Sequence, residues 1–221
     1  MDRHYGVGAG EDWERFLAEA KALGVQLPEG CVSLFASYLV ELQEWNRSVR
    51  LVSRADAETV LWRHFLDSLA LVPFMEGEGP LLDVGSGAGF PGIPVKLAKP
   101  FLRLHLVESR RRKANFLRHL IRVLGLKDVC VYQGRAGKEG LELGRYPLVV
   151  ARAVASPLSW LKMAENLVEK NGRVFLMLAQ GQATKQLDVS LVQWGWQRLE
   201  RVDYKLPNVK SRRSILVLKR A

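Results

Sequence analysis

The sequence predicts an α/β protein whose mostly parallel sheet is covered by helices and preceded by a helical N-terminal extension. Three observations predict it. From residue 80 onward, short apolar segments of strand length alternate with amphipathic helical segments. A glycine-rich turn, Gly85-Ser86-Gly87-Ala88-Gly89, follows the first of those strands. Residues 1–79 carry helical periodicity. The expected division is therefore 1–79 for the extension and 80–221 for the α/β domain.

Each element has its own warrant. Trp13, Phe16, Leu17, Ala20 and Leu23 fall at helical spacing and predict a helix over 11–24, stopped by Gly24. Leu34, Phe35, Tyr38, Leu39, Leu42 and Trp45 give a second helix over 31–45. A third is expected to begin near Asp56, which can cap it, and to run from Thr59 through Val72 until Pro73 ends it. Leu81–Val84 is the first strand and Leu102–Val107 the second. Arg111–Leu124 is helical, with Gly125 placed for a left-handed cap. Val129–Tyr132 and Leu148–Ala151 are the next strands. Pro157–Val168 is expected as a helix ending near Asn171-Gly172, and Val174–Leu178 as a strand. A short helix near Thr184–Val189 precedes two tail strands, Trp196–Tyr204 and Ser214–Lys219, expected as an antiparallel edge.

Composition narrows the function classes. The 221 residues are 48% hydrophobic and 25% charged, which excludes a largely disordered chain and suits one substantial domain. Cys31 and Cys130 are far apart and form neither a disulfide scaffold nor a zinc spacing. No apolar run reaches the ~18 residues of a membrane span, and the N-terminus lacks the order of a signal peptide. The expectation is a cytoplasmic protein with no membrane association, no metal and no obligate protein partner.

Charge is divided along the chain. Residues 1–80 carry 7 Lys/Arg against 13 Asp/Glu, net −6, while residues 81–221 carry 26 against 10, net +16. A field that positive favours a polyanion. Basic residues cluster at Arg110, Arg111, Arg112 and Lys113, and again at Lys205, Lys210, Arg212 and Arg213. Either cluster suits phosphate contact.

The segment LLDVGSGAGFPGIP, residues 81–94, is the sharpest feature. A buried strand delivers Asp83 to its C-terminal end, where ligands of open parallel sheets bind. Gly85, Gly87 and Gly89 permit tight turning and close ligand approach. The pattern is GxGxG, neither the dinucleotide GxGxxG nor a phosphate-binding P-loop. Asp83 would repel a pyrophosphate but attract an ammonium. S-adenosylmethionine (SAM) carries an ammonium and a sulfonium. Glu108 ends the second strand, 25 residues after Asp83, where an acidic side chain takes two ribose hydroxyls. These features favour SAM over NAD. Backbone at Ala136 and Gly137 is placed to meet adenine. Arg135 and Arg152 follow the third and fourth strands on the same edge, as candidate positioning residues for cofactor or RNA phosphate. Arg63, His64 and Asp67 form a polar group in the third helix, read first as a core or domain-joining contact.

WNRSVRLVS at 45–53, RHFLDSL at 63–69, LDVGSGAGFPGIP at 82–94, GRA at 134–136 and RAVA at 152–155 occur in this order. With that ordered set the sequence closely resembles the RsmG family, also called GidB, over nearly its whole length. The resemblance implies a Rossmann-like class I SAM-dependent methyltransferase fold. It further implies transfer of a methyl group to N7 of a guanine in the 530 region of 16S ribosomal RNA, with the RNA or the small ribosomal subunit as partner. Family-like cofactor contacts map to Gly85, Phe90, Ala136, Gly137 and Arg152. Two positions depart from the family pattern. GRAG replaces GRAE, so Gly137 offers no carboxylate, and LMLAQG puts Gln180 at the usual lysine position. Expected RNA contacts are Arg135, Lys210, Arg212 and Arg213. A SAM-dependent enzyme for another RNA or a small molecule, and a noncatalytic RNA-binding protein, are the competing readings.

Overall fold

The computed structural model describes residues 11–53, 59–75, 79–137, 141–152, 156–179 and 191–221. The proposed cap Asp56, the Ala153–Ala155 part of RAVA, Gln180 and the Thr184–Val189 helix lie outside the described residues.

Helix α1 spans Glu11–Ala22; Glu11, Asp12 and Glu14 face the positive end of its dipole and Lys21 the negative end. Gly24 then turns left-handed at φ +79°. Helix α2, Cys31–Asn46, buries Cys31, Phe35, Tyr38, Leu39 and Leu42, one stripe at helical spacing. Asn46 closes it usefully. Its Oδ1 accepts from the N–H groups of Leu51 and Val52 at 2.8 and 3.0 Å, which shapes the WNRSVRLVS turn.

The third helix differs from expectation. It opens with a π-helical stretch, Leu61–Leu66, and continues as a short α-helical segment, Asp67–Leu69; together these are α3. Six residues are too few for apolar spacing to separate a 3.6-residue turn from the wider π turn. Pro73 does not end this helix but sits in a separate 3₁₀ turn, Val72–Phe74.

Strands β1 (Leu81–Val84), β2 (Leu104–Glu108), β3 (Val129–Gln133), β4 (Tyr146–Arg152) and β5 (Val168–Ala179) pair in parallel in the order β3-β2-β1-β4-β5. Strand β7 (Arg213–Arg220) adds antiparallel to β5, and β6 (Trp196–Tyr204) closes the edge beside it. Helices α4 (Gly92–Ala98), α5 (Arg111–Val123) and α6 (Pro157–Ala164) connect the parallel strands. Helix α6 is shorter than the expected Pro157–Val168, because Val168 already pairs with Tyr146. Asn171-Gly172 is correspondingly no helix end. Asn171 turns left-handed at φ +64° inside β5, where the β4–β5 register shifts. A Cβ on Gly172 would stand 2.7 Å from Val168 Cγ1, so the strand needs a glycine there.

Apolar cores lie on both faces of the sheet. One contains Leu82, Val149, Trp160, Leu161 and Leu176. The other runs without a break from Phe16, Phe35 and Phe65 to Phe90, Leu97, Phe116 and Leu117. The shift in charge and pattern near residue 80 is therefore not a boundary between cores. Among the described residues no helix is long and apolar enough to cross a membrane. No cluster of three or more His, Cys, Asp or Glu side chains is placed to hold a metal among them.

Candidate functional site

Strand β1 brings Asp83 to the C-terminal edge of the sheet, 1% exposed. Its Oδ2 accepts from the Gly92 N–H at 2.9 Å, at the start of α4. A Cβ on Gly92 would lie 2.7 Å from that oxygen, so only glycine lets the helix come this close. Asp83 Oδ1 is buried with no hydrogen-bond partner. Burial pushes the carboxyl up to about 7, against the pull of the Gly92 N–H, Arg152 and the Ser86 hydroxyl.

The three glycines of the loop do different work. All are left-handed, at φ +78°, +59° and +99° for Gly85, Gly87 and Gly89. Beyond Gly85 a Cβ would meet nothing within 4 Å, and beyond Gly87 only the Gly85 carbonyl. This side of the loop is open. A Cβ on Gly89 would instead stand 2.7 Å from Tyr38 Oη and 2.8 Å from Ile93 Cγ1. Gly89 therefore admits helix α2 against the loop. The Tyr38 hydroxyl donates to the Ala88 carbonyl at 2.5 Å.

Glu108 stands at the end of β2, 6% exposed. Its Oε2 accepts from the Gly87 N–H at 2.9 Å and its Oε1 from the Arg110 N–H at 2.7 Å. Its backbone carbonyl accepts from Gly134 N–H at 3.0 Å. Glu108 thus sits between the glycine loop and the loop after β3. That second loop carries exposed Arg135, half-buried Ala136 and exposed Gly137, whose φ is +72°. A Cβ on Gly137 would already crowd Met163 Cγ at 3.0 Å, so the GRAG departure leaves no room for a side chain without adjustment.

Arg152, at the end of β4, turns toward the N-terminal helices. Its guanidinium lies 3.5 Å from Asp67 Oδ2, contacts His64 Nδ1, and rests 5.2 Å from the centroid of the Phe90 ring. Burial lowers its pKa while Asp67 raises it. The Phe90 ring is stacked between His64 and Tyr38, with centroids at 4.7 and 5.5 Å. Asp67 also accepts from the Tyr204 hydroxyl at 2.7 Å and pairs with Arg213 at 3.6 Å. Burial, then Asp67, raises the Tyr204 hydroxyl and keeps it a donor.

The sequence-derived residues are thus brought together unevenly. Asp83, Gly85, Gly87, Phe90, Glu108, Ala136, Gly137 and Arg152 share one edge of the sheet. Arg213 is turned inward onto Asp67, whereas Lys210 and Arg212 are exposed. Tyr38 and Tyr204 were read as apolar packing and as a strand residue. Tyr38 is buried and Tyr204 partly buried, each phenol needs a partner, and the Tyr38 hydroxyl reaches the glycine loop itself. His105 bonds the Tyr146 hydroxyl at 2.8 Å, and His119 pairs with Glu41 at 2.7 Å, tying α5 to α2.

SAM fits these groups on two observations. Asp83 offers a buried oxygen with no partner, the acceptor an ammonium would complete. The space beyond Gly85 is empty, with the Glu108 carboxylate on the neighbouring strand. The fold matches that of solved methyltransferases. A SAM-dependent methyltransferase from Aquifex aeolicus superposes with a TM-score of 0.57 at 15% identity, covering 80% of this chain and 97% of that one. TrmN from Thermus thermophilus gives 0.56 at 15%, covering 71% and 49%. The fold and site define a class I SAM-dependent methyltransferase. A family model, GidB, rRNA small subunit methyltransferase G, matches residues 32–215. Ribosomal RNA small subunit methyltransferase G of a Roseiflexus species is 42% identical over 73% of this chain and 70% of its own length. That of Lachnoclostridium phytofermentans is 33% identical over 95% and 89%. The chain belongs to the rRNA small subunit methyltransferase G family.

Proposed function

We infer that the protein methylates N7 of a guanine in the 530 region of 16S ribosomal RNA, with SAM as methyl donor. The family match over 32–215, laid on a glycine loop with an unsatisfied buried carboxylate oxygen, carries the reading. SAM supplies an electrophilic methyl on its sulfonium. Asp83 would hold the cofactor's ammonium and Glu108 its ribose hydroxyls. Ala136 and Gly137 would offer backbone to the adenine. Guanine N7 has a free lone pair, so the reaction needs no general base. The protein's work is alignment and electrostatic fit. Arg152 positions Phe90 and the loop above it, and Arg135 receives RNA phosphate from its exposed place after β3. Lys210 and Arg212 extend that contact, and Arg213 reaches it only at the rim of the Asp67 network. An unpaired loop guanine suits this arrangement, since duplex RNA hides its base edges in a deep groove.

The test is transfer of a labelled methyl group to small subunits lacking the modification, with deproteinised 16S rRNA in parallel and the product base mapped. Label on N7 of one guanine in the 530 region is expected. Intact SAM binding with no transfer to either substrate would reassign the acceptor.

A further inference from the structure

The sheet's other edge, where the parallel strands begin, carries a feature the reaction does not use. Phe101 is 98% exposed, at the tip of the turn between α4 and β2. Isolated exposed apolar side chains are common. This one is held in place by buried groups. Lys96 is 2% exposed, and its ammonium donates to the carbonyls of Pro100 and Leu102, one on each side of Phe101, at 2.7 and 2.6 Å. Lys99 anchors the same turn to the Met75 carbonyl at 2.8 Å, and the Leu102 N–H closes it on the Lys99 carbonyl at 2.9 Å. Two lysines thus fix a loop whose tip packs on nothing. Beside it opens a cleft of 570 Å³ lined by Gly79, Ala98, Lys99, Pro100, Phe101, Leu102 and Arg103.

The surroundings are basic, and the topology makes them so. Arg103 directly precedes Leu104, which registers with Val129, and Lys127 stands two residues before Val129. Arg145 precedes β4 at the same edge. Lys219 and Arg220 reach it because β7 runs antiparallel and ends there. These cations are scattered in sequence and form no cluster in it. Asp128 and Glu169 offset them in part.

We propose that the Lys99–Arg103 turn is a second RNA-binding surface, taking an unpaired base of the substrate RNA on the Phe101 ring and adjacent phosphates on Arg103 and Lys127. This rests on the reading of RNA as methyl acceptor. An exposed ring flanked by cations is the chemistry that binds single-stranded nucleic acid. Preorganising the ring lowers the entropy lost on binding. Strand β1 has four residues, so the two edges lie roughly 13 Å apart along it. Only an acceptor large enough to wrap the sheet touches both, which fits a folded RNA and not a small molecule.

The test compares Phe101→Ala, Phe101→Trp and Arg103→Ala/Lys127→Ala with wild type. Affinity for deproteinised 16S rRNA is read without SAM at several salt concentrations, then kcat and KM on small subunits, with SAM affinity as control. Phe101→Ala is expected to weaken RNA binding about 5- to 100-fold. It should raise KM while kcat and SAM affinity hold, and Phe101→Trp should restore binding. The double variant should lower the salt slope by about 1.5. Wild-type affinity and slope in these variants, with methylation of rRNA intact in all, overturn this surface alone. Loss confined to assembled subunits overturns it in favour of a ribosomal protein as the contact. Failure of the wild-type enzyme to bind any rRNA overturns both this surface and RNA as acceptor.

Discussion

Asp83 is held buried at the expense of stability. Its carboxyl is raised from 3.8 to about 7 by burial. Between those values the folded chain keeps a proton that the unfolded chain has released. Stability therefore falls as pH rises from about 4 to about 7, and the whole cost is present above 7. Asp83→Asn should stabilise the protein at pH 8 by on the order of 2 kcal/mol and hardly at all at pH 4, read from thermal melts at both. The same variant should lose SAM affinity. In the wild type, a cation beside Asp83 restores the carboxylate, so SAM binding should release a proton and weaken up to tenfold per pH unit below about 7. Calorimetric titration in buffers of different ionisation heat checks it. Asp67 is the contrasting case. It is 1% exposed and gathers Tyr204, Arg152 and Arg213. Asp67→Asn leaves two guanidinium groups facing a neutral amide, and should cost roughly 3 kcal/mol of stability, seen in denaturant midpoints. It should also lower kcat more than SAM affinity. Asp83 and Glu108 were legible in the sequence because strand order alone puts them on the ligand edge. The partners of Asp67 were not, since Arg152 and Tyr204 lie 85 and 137 residues away and nothing local announces a pairing.

Helix α2 shows how an element read only as packing enters the site. Its apolar stripe was plain in the spacing, but the Tyr38 hydroxyl on the Ala88 carbonyl was not. Tyr38→Phe should cost about 1–2 kcal/mol by leaving a buried carbonyl without its donor, and SAM affinity should fall with it. Gly89→Ala presses the same contact from the other side, with a Cβ 2.7 Å from that hydroxyl on a left-handed backbone. It should destabilise more than Gly85→Ala, which meets nothing, as parallel melting curves would show. The strands were legible because each is a short apolar run. The end of α6 was not, because Asn-Gly reads equally as a helix stop and as a bulge in β5. Only the pairing of Val168 with Tyr146 decides it.

At the scale of the molecule, the sequence pattern divides near residue 80 into a helical extension and an α/β domain, and the packing joins them. Phe35 and Phe65 from the N-terminal helices share a core with Phe90, Leu97 and Phe116. Deleting residues 1–75 would bare that face, and the remaining chain is expected to aggregate instead of yielding a SAM-binding monomer, checked by size-exclusion chromatography. The GxGxG turn and the alternating segments made the class of fold legible. How the extension meets it depended on contacts between distant aromatic rings, which no window of sequence contains.

The network at Asp67 also sets an order in time. Tyr204 and Arg213 close on a carboxylate made much earlier in translation. While a ribosome still holds β7 in its exit tunnel, the glycine loop and β1–β4 are already outside, yet Asp67 lacks two of its partners. The nascent enzyme is thus unfinished at the joint beside Phe90 until the final hairpin emerges.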